Sequence, residues 1–186
     1  LGALSTVLLL IDPLSGALVH TRRLLLALEY GDARQMAIAL ASEGAMRSAM
    51  GNRERGAAIV ADALQRAEAI GNPYALSAAH FARGILAYTQ WRLTDAEREL
   101  HESEAVLMGA NANVSWELTT GRLFRYFSAI AGGRYRSALH DLAEHREDAR
   151  RRRDAYATAV LGTACAAFQQ LAVDTIGDVI DADESL

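Results

Sequence analysis

The stretch RGILAYTQWRLTDAERELH, residues 83–101, carries apolar residues at helical spacing on both sides of a phase change at Trp91, Arg92, Leu93 and Thr94. One kinked helix and two helices joined by a turn are different architectures. The residues favour the turn. Thr94 followed three positions later by Glu97 has the form of a capping box, and Asp95 suits the positive end of a helix dipole. The pattern predicts one helix ending near Gln90 and another starting under Thr94 and Glu97.

The same punctuation recurs along the chain. Both prolines stand where helices begin: Asp12 precedes Pro13, and Gly71 and Asn72 precede Pro73. Each supplies a cap acceptor followed by a residue preset for the first helical position. Strand-type alternation of β-branched residues is missing and alanine dominates. Predicted helices cover 2–11, 14–30, 32–50, 53–70, 74–90, 93–108, 114–131, 134–151 and 154–172, with a short piece from about 174. Links of two to five residues make successive helices antiparallel neighbours. The class is all-α.

The helices also repeat. Gly44 and Gly84 are 40 positions apart, and Gly56, Ala96 and Ala138 follow one another at 40 and 42. Behind them come matched seams: Val60, Ala63, Ala67; Leu100, Ser103, Leu107; and Leu142, His145, Ala149. Steps of four, three and four hold each set on one helical face. A small residue lets two helices approach, and a period near 40 points to an α-solenoid of antiparallel helix pairs.

Those residues carry a resemblance. Gly84 with Ala96 and Leu100, and Gly44 with Gly56 and Val60, share spacings of twelve and then four. Together with the turn GRYRSA at 133–138 they resemble tetratricopeptide repeats, in which a small residue of helix A precedes an Ala of helix B and then a bulky residue. The resemblance implies a right-handed superhelix of about three and a half units. These are 32–72, 73–112 and 113–152, a truncated pair at 153–186, and a preceding degenerate pair or cap at 1–31 whose residues do not fit the register. Departures are the longer repeat, Tyr126 at the third small position, and Glu43, Arg83 and Arg125 where the family has Leu. HEAT or armadillo repeats remain the structural alternative, although their helix-A prolines are missing. LEYGDARQMAIALASEGA and SWELTTGRLF are also similar to the C-terminal region of bacterial serine/threonine kinases with a fused ATPase module.

Composition excludes several chemistries. All 19 basic residues are Arg, so no Lys is present for a Walker-A loop, a protein-kinase site or a Schiff base. The net charge of −4 argues against general nucleic-acid affinity. The apolar run at 3–11 is too short to span a bilayer and lacks the basic start of a signal peptide, which leaves a cytoplasmic protein as the expectation. Leu1 in place of an initiator Met points to a piece of a longer chain. The single Cys165 sits among small residues and reads as buried. His20, His80, His101, His140 and His145 make no metal spacing, and His145 falls on a seam. The acidic cluster at 94–104 is helix caps and a solvated face. The arginines at 150–153 end a helix, where cations suit the dipole and nearby carboxylates neutralise them. Neither GxGxxG nor GxSxG occurs.

No catalytic, cofactor-binding or metal residue is therefore expected. The resemblance places Phe81, Tyr88, Leu123, Phe127 and Ile130 near the concave side of the superhelix, bordered by Arg83 and Arg125. Such a groove suits an amphipathic helix or an extended acidic peptide. The expected role is a non-enzymatic scaffold or sensor within a larger bacterial signalling protein, binding a protein, a peptide or other domains of its own chain. The alternative is a small-molecule sensor with an apolar pocket in the superhelix.

Overall fold

Asp12, Asp32, Asn72 and Asp154 each accept a hydrogen bond from the backbone N–H three positions on, at Ser15, Gln35, Ala75 and Ala157. Each caps an orphan donor of a first turn, and Pro13 and Pro73 follow two of the caps at the first helical position. The computed structural model describes residue 8, residues 12–109 and residues 114–166. Among the described residues there are eight principal helices and no strand: α1 Pro13–Tyr30, α2 Ala33–Ala49, α3 Arg53–Ile70, α4 Pro73–Thr89, α5 Leu93–Gly109, α6 Ser115–Ala131, α7 Tyr135–Arg151 and α8 Ala155–Thr163. The expected helix at 2–11, the end of the one at 154–172 and the piece from 174 lie outside the described residues.

The phase change in residues 83–101 is a turn. The N–H of Arg92 donates to the Ala87 carbonyl at 2.9 Å, and that of Trp91 donates to Tyr88 at 3.0 Å. This double bond pattern closes a helix around a left-handed residue, here Trp91 at φ 59°. The same pair of bonds recurs at Gly51 and Asn52, at Gly133 and Arg134, and at Arg153 and Asp154. Two of the four left-handed positions hold glycine, which bears no Cβ penalty there; Trp91 and Arg153 do bear it. The second helix starts at Leu93, with the Arg92 carbonyl accepting from Ala96 N–H. Thr94 is thus inside the first turn and is not the cap. Asp95 in that turn binds Arg92 at 3.0 Å and Arg98 at 2.9 Å.

The chain divides into two compact units, Leu1–Ala112 and Asn113–Leu186. In the first, α2 pairs with α3 and α4 with α5; α4 also packs on α2 and α3, and α1 lies on α2. The α2–α3 approach is set by glycine. A Cβ on Gly44 would lie 2.5 Å from Val60 Cγ2 and 2.8 Å from the Gly56 carbonyl oxygen. In the next pair the corresponding space beside Gly84 is filled by the Leu100 side chain, with Ala96 buried one turn before it. Alanines line the rest of the first unit: Ala37, Ala67, Ala75 and Ala79 cluster with Ile38, and Ala41, Ala63 and Ala82 cluster with Val60. Seam residues such as Val60 and Leu100 each contribute about 1.5–3 kcal/mol through burial.

In the second unit α6 packs on α7 and α8, and α7 on α8. Tyr126 occupies the position held by Gly44 and Gly84, and its ring joins Ala129, Ile130, Ala138, Leu142, Leu161 and Cys165 in the core. A phenol ring where the other pairs have a hydrogen atom keeps α6 and α7 from the close approach seen in α2 and α3. The helix α8 ends within the described residues. It closes at Thr163, whose hydroxyl bonds back to the Ala159 carbonyl, and a turn follows at Ala164 and Cys165.

Residues 1–31 read as out of register, yet the first residues of α1, α3 and α5 (Pro13, Arg53 and Leu93) are evenly spaced along the chain. Gly16, His20 and Ala27 are buried at the positions of Gly56, Val60 and Ala67. The register is obscured in the sequence because His20 stands where the other seams carry Val60, Leu100 and Leu142, and Arg23 where the next two carry Ala63 and Ser103.

Candidate functional site

A lone buried carboxylate needs partners, because taking the charge out of water costs more than most folds supply. Glu99 on α5 is buried and surrounded. Its Oε2 lies 3.0 Å from Nδ1 of His80, and its Oε1 lies 3.2 Å from Arg83 and 3.5 Å from Arg98. His80 and Arg83 come from α4, so the carboxylate ties the two helices of a pair. A second cluster ties α1 to α2. There His20 Nε2 lies 3.0 Å from Oε2 of buried Glu43, whose other oxygen is held by Arg47 one turn along the helix. Burial lowers the pKa of His20, and the hydrogen bond to Glu43 opposes that shift. A general base needs an oxygen free to reach a reacting proton. In both carboxylates each oxygen is engaged by a cation or an imidazole, and each carboxylate joins two neighbouring helices.

A third polar network stands in the second unit. Arg122, 5% exposed, binds Asp148 at 2.7 Å, and Asp148 also receives Arg152 at 3.1 Å. Arg152 reaches Asp154 at 3.3 Å, and Asp154 accepts the Ser115 hydroxyl and caps α8. Both aspartates are held below the usual carboxylate pKa: desolvation pushes them up, but bonds from Arg122 and Arg152, and from Ala157 and Ser115, outweigh it. The four-arginine run is accounted for here. Arg150 pairs with Glu147 at 3.0 Å, Arg151 lies 3.7 Å from Asp148, Arg152 is shared by two aspartates, and Arg153 makes the left-handed turn.

The seven groove residues are placed as follows. Phe81, Arg83 and Tyr88 lie half-buried on α4 in the first unit; Leu123, Arg125, Phe127 and Ile130 lie on α6 in the second. Ile130 is a core residue, and Leu123 and Phe127 pack against the same core. The two rim arginines share a geometry. Arg83 binds Glu99 and Arg125 binds Asp141, each at 3.2 Å and each at the same step into the paired helix. Each of these arginines therefore carries a carboxylate counter-charge beside it. Sequence reasoning missed these pairs, although their equal spacing within one register is visible once the repeats are aligned.

Other residues fall as follows. Ser77 and Ser103 exchange hydroxyl-to-carbonyl bonds at 3.1 and 3.0 Å across α4 and α5. Thr119 and His145 occupy the same positions in the next pair, with His145 only half-buried. Cys165 is buried as expected, and desolvation pushes its thiol up to about 11, far from the thiolate form. Among the described residues no group of three His, Cys, Asp or Glu side chains is placed to hold a metal ion. No helix among them is long and apolar enough to cross a membrane.

No family model, curated protein or solved structure matches the chain.

Proposed function

We propose that this chain is a non-catalytic helical-repeat scaffold, a right-handed superhelix of the tetratricopeptide type that binds a protein or peptide partner. In this reading it serves a larger cytoplasmic bacterial signalling protein linked to a kinase or ATPase module. The supporting observation is the common register. Four A-type helices (α2, α4, α6, α8) and four B-type helices (α1, α3, α5, α7) start at nearly equal intervals along the chain, and four of the links share one turn geometry. Repetition of this kind builds surface. The ionised groups strung along it are spent on holding helices together, as at Glu43, Glu99 and Asp148. Binding falls to the half-buried A-type face within each unit, where Arg83 in the first and Arg125 in the second exchange their own carboxylates for that of an acidic amphipathic segment.

The test is a fluorescence-anisotropy screen of acidic amphipathic helical peptides against the full chain. Micromolar binding that weakens about tenfold or more in Arg83→Ala or Arg125→Ala, with an unchanged melting curve, supports the groove. Binding indifferent to both substitutions, or none across the panel, removes it.

A further inference from the structure

The B-type helices share an outward face, and in one of them its chemistry is inverted. On α3 that face carries Glu54, Ala58, Gln65 and Glu68, all exposed. The equivalent positions on α7 hold two arginines, a histidine and a glutamate, also exposed. On α1 the same four positions are Leu14, Leu18, Leu25 and Leu28, exposed by 84%, 71%, 60% and 50%. The buried face of α1, with Gly16, His20 and Ala27, is the one the repeats use. Stacking of a further repeat leaves the outward face open, as it is on α3. Four leucines in water there call for a partner outside the array.

The spacing identifies that partner. Leu14, Leu18, Thr21, Leu25 and Leu28 follow one another at steps of four, three, four and three, the narrow heptad seam of a coiled coil. No charge interrupts the seam, so it complements another uncharged seam, as the shared patch of an isologous dimer does. The flanking charges select the direction. A parallel, in-register pair sets Arg22 beside Ala17 of the second copy and Glu29 beside its Leu24. An antiparallel pair centred on the seam brings the two Arg22 side chains together, which repels. We propose that α1 is the contact through which two copies of this chain associate, parallel and in register along this leucine seam. Two such seams remove on the order of 1,000 Å² from water, the low end of the range for specific interfaces, where association is weak and reversible. The inference is independent of the groove on α4 and α6.

The experiment is sedimentation equilibrium of the full chain between about 1 and 300 µM, a range that covers weak, reversible association. Wild-type protein is expected to pass from monomer to dimer. The double variant Leu18→Glu, Leu25→Glu stays monomeric throughout and melts as the wild type does at concentrations where the wild type is monomeric, because both side chains stand in solvent in the monomer. Thr21→Leu completes the seam and tightens association about tenfold. Leu28→Cys forms a disulfide-linked dimer on mild oxidation if the pair is parallel. A monomer at every concentration, a dimer that survives the double substitution, or a Thr21→Leu variant with unchanged association overturns the proposal.

Discussion

Replacing Gly44 by alanine tests how the first helix pair is held. The new Cβ would lie 2.5 Å from Val60 Cγ2, 2.8 Å from the Gly56 carbonyl oxygen and 2.9 Å from the Val60 backbone nitrogen. The methyl contact yields to a rotamer change, but the two backbone contacts do not. Restoring ordinary separation requires α2 and α3 to part by about half an ångström or more, which forfeits a quarter or more of the dispersion energy along the seam. Overpacking of this sort costs about 3 kcal/mol at the upper end, and alanine returns about 1 kcal/mol of helix propensity. The net loss is about 2 kcal/mol. Gly84 is the internal control: its Cβ would meet the Leu100 side chain at 2.5 Å, but the backbone only at 3.4 Å. Gly84→Ala is expected to cost about half as much, because a side chain can shift where a backbone cannot. Trimming Val60 to alanine beside Gly44→Ala recovers nothing. For a unit of this size 1 kcal/mol shifts the midpoint by about 4–8 °C, so circular-dichroism melts separate the two variants. A Gly44→Ala protein that melts at or above wild type would refute the backbone-contact account, as would rescue of Gly44→Ala by Val60→Ala.

Trp91 and Arg153 hold left-handed backbone without being glycine, so Trp91→Gly and Arg153→Gly are each expected to raise stability by about 0.5–1 kcal/mol. Trp91 is 75% exposed, so little packing is lost with it, and a fall in melting temperature would show that its ring does more than occupy the turn. His20 gives a pH dependence whose sign follows from its lowered pKa. Its stabilising effect is complete above the ordinary imidazole value near 6.5 and is lost as the pH falls toward the folded-state pKa, because protonation then favours the unfolded chain. The first unit should lose stability as the pH falls below about 6.5, Glu43 and Arg23 setting how far, and His20→Asn should flatten that part of the melting profile. A profile unchanged by the substitution would assign the acid loss to other groups.

Much of the architecture was legible because it depends on local chemistry. Asp12 with Pro13, and Asn72 with Pro73, start helices by capping and by fixed φ, which need no tertiary information. The seam behind Gly56 was readable because small and apolar residues recur at one spacing. Three features were not readable, for separate physical reasons. Trp91 takes the left-handed position that Gly51 and Gly133 hold in the repeats on either side, and nothing in a tryptophan announces positive φ. The place of α1 was hidden by His20, whose burial depends on Glu43 reaching it from the next helix. The ion pairs of Arg83 and Arg125 were not readable because Glu99 and Asp141 become their neighbours only after the hairpins close.

The pairings that close these hairpins are short in sequence. Arg83 finds Glu99, and Ser77 finds Ser103, within a single helix–turn–helix. Loop-closure entropy rises only with the logarithm of the intervening length, so each hairpin can form with little knowledge of the rest of the chain. Folding of such a molecule is expected to be fast and to begin at more than one hairpin. The Ala-rich α2–α3 pair and the Tyr126-centred second unit then need not unfold together. Hydrogen exchange should divide the protein into separately opening segments, and a stability measured at one end need not speak for the other.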